Sequence, residues 1–375
     1  MSIKQLKSGK WQVTVTWYDS SKKRHFKRKS FRLKTEALQY EAQMQIDKSK
    51  NMLSTRGNEP FPDYFWKWFE TYKEANVADR TYNTYLNAYH NLKKYLDGVP
   101  IAQMDRRLYR KFIADFGKSH AKSTVRKYNT LYHACIKDAI YDGDVKRDFI
   151  RNTDIVYDAS RTKHIEYLNI KEMQHLTDYL ENSLNPRYTS KYMIITALFT
   201  GARLGEIQGL KWKDIDFAHH TITINRAWLE TKNIFKSTKN ESSKRIIRVN
   251  EKLLRILSQL KKENTQPEDQ VFLQQFNTIP SSSAVNKVLR KVLKELNIEK
   301  KGFHFHSLRH THVAFLLAHH IDLYIIAKRL GHADITTTSK VYSYLIDEYR
   351  VRSDDEIEKI LNNVDSEVKL ESKKK

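Results

Sequence analysis

Cysteine, acidic residues and long apolar runs are all scarce in this sequence. Its one cysteine, Cys135, excludes an internal disulfide and favours a reducing cytoplasm. The helical setting of this residue predicts a small buried thiol. No stretch is apolar for long enough to span a membrane, and the N-terminus lacks the apolar segment of a signal peptide. A soluble protein that is not exported is therefore expected.

Basic residues outnumber acidic ones by a wide margin. The 375 residues include 67 Lys and Arg against 44 Asp and Glu, which gives a formal charge of +23. With 40% hydrophobic residues, the chain is too rich in core-forming side chains to be a disordered basic tail. Its length allows two or three domains, and its charge predicts a polyanionic partner, DNA.

Residues 1–54 are predicted to form a small sheet packed on a helix. Large apolar and polar residues alternate over 11–17, residues 24–31 suit a basic second strand, and 35–50 suit a helix. Gln12, Thr14 and Thr16 are expected on the outer face, beside residues 22–29. A sheet can enter a major groove, so this segment is a candidate DNA-binding surface; the alternative is a solvated face that binds nothing specific. Its candidate contacts are Arg24, Lys27, Arg28 and Lys29.

Residues 60–155 are predicted to be helical, after a linker at 51–60. Start signals and apolar spacing favour helices over 61–75, 80–96, 106–116 and 123–141. The tyrosines of this region recur at helical spacing and are assigned to packing. Arg126 and Lys127 lie between such tyrosines and are candidate phosphate contacts.

The second half of the chain holds short motifs that suit phosphodiester chemistry. Such chemistry needs positive charge on the non-bridging oxygens, a nucleophile and a proton donor for the leaving hydroxyl. Arginine suits the first need because its planar guanidinium grips two phosphate oxygens. Arg203 and Arg309 are the candidates, and attack by Tyr342 would leave a covalent phosphotyrosine. The motifs are Thr200-Gly-Ala-Arg203-Leu-Gly-Glu206, His306-Ser-Leu-Arg309, Leu330-Gly-His332 and Tyr342.

Local spacing predicts how these residues are presented. His306 and Arg309 are three residues apart and share one face at the start of a helix that Ser307 would cap. Residues 323–330 suit the next helix, and Gly331 suits a left-handed C-cap. His332 is therefore expected just beyond that helix end, facing the site.

Together these motifs resemble the tyrosine recombinase (integrase) family, and in particular integrases of temperate phages, integrative elements and pathogenicity islands. The match in motif detail covers roughly residues 165–350. The resemblance implies a multidomain, mainly α fold: an N-terminal arm-type DNA-binding domain at 1–54, with a small β-sheet and a helix, and a helical core-binding domain at 60–155. A mostly α catalytic domain with a small β-sheet would follow at 165–353, with a C-terminal tail at 354–375.

The resemblance implies a site-specific recombinase that integrates, and also excises, a mobile genetic element through a 3′-phosphotyrosyl intermediate. Glu206 is expected to orient Arg203, and His306 to assist proton transfer. The family pattern Thr-Lys-x-x-Ser-Ser-x-Arg points to Lys239 as the general acid on a β-hairpin bracketed by residues 222–224 and 245–249. Lys236 and Lys244 remain competitors for that role. Tyr344 and Tyr349 are alternative nucleophiles, and Tyr344 replaces a histidine that the family often has there.

The expected partner is double-stranded DNA at core and arm attachment sites. The resemblance implies a homotetramer on that DNA, accessory DNA-bending and excision factors, a tail that docks on a neighbouring subunit or on its own domain, and no cofactor, metal or membrane. The protein is expected in the cytoplasm of a bacterial host, associated with the nucleoid.

Three other interpretations fit the sequence less well. A type IB topoisomerase-like nicking-closing enzyme needs the same residues, but the basic N-terminal segment disfavours it. A DNA-binding regulator without chemistry fits poorly because every catalytic position is filled. A metal site at His306 and His310 lacks an acidic ligand, and Ser307 stands where a zincin has glutamate. His310 and His312 are therefore predicted to be structural.

Overall fold

The computed structural model describes residues 2–18, 24–49, 56–162, 165–237 and 243–332, with positions 334, 336, 339, 358 and 361. The chain divides into two compact units, residues 1–163 and 164–375. The described residues are mostly helical with small antiparallel sheets, as the sequence predicted. Within these residues no helix is both long and apolar enough to cross a membrane.

The first unit begins with a three-stranded antiparallel sheet and a helix. Strands β1 (Ser2–Gln5), β2 (Trp11–Tyr18) and β3 (Arg24–Phe31) lie in that order. Helix α1 (Lys34–Ser49) packs on one face, where Val13, Val15 and Ala37 are fully buried. The predicted strands and helix are present, and β1 was not foreseen.

The register of this sheet divides the basic residues of β3 between its two faces. Lys27 lies opposite Val15 and Lys29 lies opposite Val13, so both lysines belong to the face that α1 covers. The ammonium of Lys29 lies 5.1 Å from the ring centre of Tyr40 on α1. The expectation that residues 22–29 all flank the outer threonines is therefore wrong for Lys27 and Lys29. Residues 22 and 23 lie outside the described residues.

The rest of the first unit is a helical cluster with an aromatic core. Its α-helices are α2 (Phe61–Tyr72), α3 (Asp79–Leu96), α4 (Arg106–Gly117) and α5 (Lys122–Tyr141). Tyr85, Tyr128 and Tyr132 are buried among phenylalanines, which confirms that these tyrosines serve packing. Asp105 caps α4 by accepting a hydrogen bond from the amide of Leu108, as its position predicted.

The second unit is built around a buried helix. Helix α7 (Ser190–Thr200) lies between α6 (Ile170–Asn182) and the later helices α9 (Glu251–Ser258), α10 (Ser282–Glu295), α11 (Phe305–Ala318) and α12 (Leu323–Leu330). Nearly every side chain of α7 is buried, including Tyr192, Ile194 and Leu198. The short helix α8 (Leu204–Gln208) follows α7 directly.

The β-structure of this unit forms two small antiparallel sheets. The first has the order β4 (Ile215–Asp216), β5 (Thr221–Ile224) and β8 (Arg245–Arg248). The two runs predicted as strands do pair, with Ile222 opposite Ile247. Between them the chain forms a separate hairpin, β6 (Arg226–Leu229) and β7 (Ile234–Ser237), which the sequence pattern had not resolved.

Candidate active site

The first arginine motif lies where α7 ends. Gly201 closes the helix in the left-handed conformation, at φ 66° and ψ 12°. A Cβ at this position would lie 2.8 Å from Cδ2 of His312 and 2.8 Å from Cδ2 of Leu330. Only glycine meets both the backbone and the packing requirement. The turn leads into Arg203, whose side chain remains 39% exposed and is therefore accessible to a ligand.

Glu206 joins two guanidinium groups at the start of α8. Arg203 donates from Nη1 to Oε1 at 2.8 Å and from its backbone amide to Oε2 at 2.9 Å. Arg245 donates to Oε2 at 2.8 Å and to Oε1 at 3.3 Å. Burial raises the pKa of Glu206, but the bonds and charges of Arg245 and Arg203 outweigh it and hold that pKa at about 2. Glu206 is consequently ionised and fully bonded.

Helix α11 starts earlier than predicted. His304 is its N-cap, and the hydroxyl of Ser307 accepts a hydrogen bond from the backbone amide of His304 at 3.3 Å. The prediction that Ser307 caps the helix is therefore wrong, because this serine lies inside the first turn and bonds backwards. His306 lies in the same first turn, and Arg309 follows one turn later, so the expected spacing on one face is retained.

Arg309 holds three segments of the second unit together. Its side chain is 2% exposed and donates from Nη1 to the carbonyl of Gly201 at 2.7 Å. From Nη2 it donates to the carbonyl of Leu330 at 2.8 Å and to Nε2 of His332 at 2.8 Å. One guanidinium thereby links the end of α7 to the end of α12 and to the histidine beyond it.

His332 follows a helix end of the predicted kind. Gly331 closes α12 in the left-handed conformation, at φ 71° and ψ 41°, and the amide of His332 donates to the carbonyl of Ala327 at 3.0 Å. These bonds fix the backbone of His332 next to Arg309. The sequence prediction for the position of this histidine is confirmed.

His306 and His332, the two candidate histidines, both have pKa values below the ordinary range. Partial burial and the charge of Arg309 lower the pKa of His306 to about 4. Burial and the charges of Arg309, Arg203 and Arg245 likewise lower the pKa of His332 to about 4. Because Arg203 and Arg309 act on both rings, these two arginines and the two histidines share one electropositive site. An anion bound there would offset the repulsion.

The residues predicted as general acid and nucleophile fall outside the part of the chain that the structure describes. Lys239, Tyr342 and the alternatives Tyr344 and Tyr349 lie outside the described residues. Lys236 is exposed on β7, opposite Ala227, and Lys244 directly precedes β8. Both competing lysines therefore belong to the segment between β6 and β8, as the sequence predicted.

The candidate DNA contacts of the first unit are exposed. On β3, Arg24 lies opposite Tyr18 and Arg28 opposite Thr14, on the face that α1 leaves open, while Lys27 and Lys29 lie on the α1 side. On α5, Arg126 and Lys127 are exposed side by side. The residues predicted from the basic clusters thus lie in three places: the open face of the sheet, its α1 side, and helix α5.

Two arginines that hold the candidate site together were not predicted from the sequence. Arg245, which bonds to Glu206, could have been recognised, because it is the last residue of the Thr-Lys-x-x-Ser-Ser-x-Arg pattern. Arg329 had no such signal; it donates from Nε to Nε2 of His312 at 3.0 Å and from Nη2 to the carbonyl of Phe199 at 3.0 Å. His312 is buried and bonded within the protein, as expected of a structural residue.

Among the described residues, no group of three or more His, Cys, Asp or Glu side chains is placed so that it could hold a metal ion. The histidines at 304, 306 and 310 are grouped around aromatic contacts instead. The rings of His306 and His310 meet edge to face, with centres 5.1 Å apart.

Sequence comparisons identify the family. The model of the phage integrase family matches residues 166–348, and that of the phage integrase SAM-like domain matches residues 60–155. The integrase of Staphylococcus phage L54a is 27% identical over 79% of this chain and 91% of its own length. The ICEBs1 integrase of Bacillus subtilis (strain 168) is 22% identical over 96% of this chain and its own full length.

Solved structures show the same fold. The Tn1549 transposon integrase, solved in complex with a circular intermediate DNA, superposes with a TM-score of 0.64 at 18% identity, over 76% of this chain and 94% of that one. A lambda integrase dimer bound to a core site gives 0.57 at 15% identity, over 90% of this chain and 93% of that one. The relatives named above are integrases, which does not favour the topoisomerase interpretation. These matches show that the chain belongs to the phage integrase family and is a tyrosine-type site-specific DNA recombinase.

Proposed function

We propose that Arg203, Arg309 and His332 hold the scissile phosphate of an attachment site. The observation that carries this proposal is the position of Arg309, which bonds to His332 and to the carbonyl of Gly201, two residues before Arg203. Guanidinium groups fixed in this way need no reorganisation when charge develops on phosphorus. The partly exposed Arg203 supplies the charge that a phosphate can reach.

The reaction moves the scissile phosphate from the 5′-oxygen of one sugar to a tyrosine oxygen and then to a 5′-hydroxyl of the partner strand. The phenolic oxygen of Tyr342 attacks phosphorus in line and gives up its proton with the assistance of His306. The bond between phosphorus and the 5′-oxygen breaks, and Lys239 gives a proton to that oxygen. In the second step the 5′-hydroxyl of the partner strand gives its proton to Lys239 and attacks the 3′-phosphotyrosyl link, the bond between phosphorus and the tyrosine oxygen breaks, and Tyr342 regains its proton.

The three parts of the chain have different roles on DNA. Residues 165–353 are the catalytic domain, and residues 60–155 are the core-binding domain, where the exposed Arg126 and Lys127 contact phosphates. Residues 1–54 bind arm-type sites, and Arg24 and Arg28 lie on the open face of the sheet. The net charge of +23 supports such extended contact with a polyanion.

Strand exchange between two sites requires several copies of the enzyme. We expect a homotetramer that binds two duplexes, with the tail at 354–375 docked on a neighbour, and accessory factors that bend DNA and favour excision. A lambda integrase, which shares this fold, has been solved as a tetramer bound to a Holliday junction. The substrate is the attachment site of a mobile element in the chromosome of a bacterial host, so the enzyme works at the nucleoid.

The test is capture of the covalent intermediate. The purified chain is incubated in EDTA with a duplex that carries a candidate attachment core, nicked so that the 5′-hydroxyl fragment diffuses away. A covalent protein–DNA band is expected for the wild type and for the control Tyr344→Phe. Tyr342→Phe should bind the same duplex without forming the band. A band with Tyr342→Phe would overturn the assignment of the nucleophile.

A further inference from the structure

Arg245 bonds to several segments around the candidate active site through its guanidinium nitrogens. It donates to both oxygens of Glu206 and, from Nε, to the carbonyl of Arg329 at 2.7 Å. A further bond from Nη1 to the carbonyl of Ser243, at 3.0 Å, fixes the start of β8. All three guanidinium nitrogens of Arg245 thus bond to acceptors within the protein. The side chain of Arg203 is 39% exposed, so a phosphate can reach it directly.

The charges explain why two arginines share one carboxylate. In the proposed function Arg203 has to be held by Glu206 and also to neutralise the phosphate. With Arg203 as its only partner, the carboxylate would cancel the charge that the phosphate needs. Two guanidinium groups and one carboxylate leave a net charge of +1 on the group. The accessible member of the pair is Arg203.

Arg245 also ties together segments that carry other active-site residues. Its bond to the carbonyl of Arg329 lies one residue before Leu330, whose carbonyl accepts from Arg309, and three residues before His332. On its own strand it follows Lys244, in the segment that carries the candidate general acids. One buried side chain therefore sets the distance between β8, α8 and the end of α12.

We infer that Arg245 is a positioning residue for the transfer reaction: it offsets the charge of Glu206 so that Arg203 meets the scissile phosphate with its full positive charge. This inference rests on the proposed function. It assigns Arg245 no contact with DNA. It differs from a purely structural role because it makes the effect of Arg245 depend on the charge at residue 206.

The first test measures binding and needs no chemistry. Two duplexes with the attachment core differ only at the scissile position, where one has a phosphate and the other a neutral methylphosphonate. The wild type is expected to prefer the phosphate, and Arg245→Gln should lose most of that preference, about tenfold. The double variant Arg245→Gln/Glu206→Gln should regain it, because no carboxylate is left to compete. Arg248→Gln removes an exposed arginine three residues along β8 and is the matched control.

The second test measures the rate of covalent capture against pH. In Arg245→Gln the rate should fall about 10- to 100-fold at pH 7.5 and recover in part as the pH is lowered to 5.5. Protonation of Glu206 then frees Arg203, an effect that the wild type and Arg248→Gln should not show. Arg245→Lys keeps the charge and should retain most of the phosphate preference. Circular dichroism and thermal unfolding are recorded for every variant. If they show that Arg245→Gln is unfolded, Arg245→Lys serves as the reference.

The outcomes separate this inference from the proposed function. An unchanged phosphate preference in Arg245→Gln, or a double variant no better than the single one, would overturn the role of Arg245. A preference that depends on Arg245 and residue 206 would support it even if no variant formed a covalent band. In that case the assigned chemistry would fail, while the effect of Arg245 on phosphate binding by Arg203 would stand. A covalent band that requires Tyr342 but not Arg245 would support the proposed chemistry and overturn the role of Arg245.

Discussion

Arg329 donates from Nε to Nε2 of His312 at 3.0 Å, which fixes the imidazole of His312 in the tautomer protonated at Nδ1. That Nδ1 proton is donated to the carbonyl of Leu198 at 2.7 Å. Burial, together with the charge of Arg329, lowers the pKa of His312 to about 3. The ring is therefore neutral and bonded at both nitrogens, and it holds α11 between α7 and α12.

This relationship predicts that acid destabilises the second unit. As the pH falls through about 6.5, the unfolded chain gains a proton on His312 that the folded chain refuses until about pH 3, so the free energy of unfolding decreases. The stabilisation is complete above pH 6.5 and is lost at up to about 1.4 kcal/mol per pH unit below it. His306, His310 and His332, with pKa values of about 4, act in the same direction.

The measurement is urea unfolding at pH 7.5 and 5.0, followed by hydrogen exchange of α11 peptides. His312→Gln should be less stable than the wild type at pH 7.5, because Gln replaces the ring imperfectly. Between pH 7.5 and 5.0, its free energy of unfolding should nevertheless decrease less than that of the wild type, and the difference should be roughly 2 kcal/mol at most. Equal decreases in the two proteins would contradict the assigned protonation of His312.

A methyl group added at Gly201 should disrupt the packing of the candidate site. Gly201→Ala forces an L residue into the left-handed region and brings its Cβ against His312 and Leu330, so a loss of about 2–4 kcal/mol in the free energy of unfolding is expected. Gly302→Ala is the control, since Gly302 also has positive φ, 76°, but nothing lies within 4 Å of its added Cβ. It should cost only about 1 kcal/mol. Similar losses for the two variants would refute the packing argument.

Replacement of Arg309 by lysine should separate binding from chemistry. One ammonium cannot bond to the carbonyls of Gly201 and Leu330 and to His332 in the geometry of a guanidinium. Arg309→Lys is expected to bind core DNA within a few-fold of the wild type but to form the covalent intermediate roughly 10²–10³-fold more slowly. Single-turnover capture on a nicked duplex gives the rate. Capture at the wild-type rate would mean that the bridging bonds are dispensable.

The two faces of the N-terminal sheet should differ in their contribution to DNA binding. Arg24→Gln/Arg28→Gln removes two charges from the open face, and Lys27→Gln/Lys29→Gln removes two from the α1 face. The first pair should weaken binding to arm-type DNA about tenfold more than the second. Because two phosphate contacts are lost, the slope of log Kd against log salt concentration should also decrease by about 1.8. Binding is measured by fluorescence anisotropy at several salt concentrations, and equal losses would show that neither face is preferred.

The parts of the fold with strong local signals were predicted from the sequence. Asp105 at the start of α4 and Gly331 at the end of α12 mark helix boundaries through bonds to residues a few positions away. The cap of α11 was misjudged because His304 and Ser307 are both polar and only the bond between them identifies the cap. The face of the sheet on which Lys27 and Lys29 lie could not be predicted, because it follows from the register between the two separate strands β2 and β3.

Short sequence motifs were enough to predict Arg203, His306, Arg309 and His332 as members of the candidate site. How these side chains are held follows from contacts between distant segments. Arg245 reaches Glu206 from 39 residues away, and Arg309 reaches Gly201 from 108 residues away. Such partners are set by the packing of α7, α11, α12 and β8 around one buried site, where each polar group must find a bond. No local pattern encodes that choice, because it depends on which helix and strand ends meet.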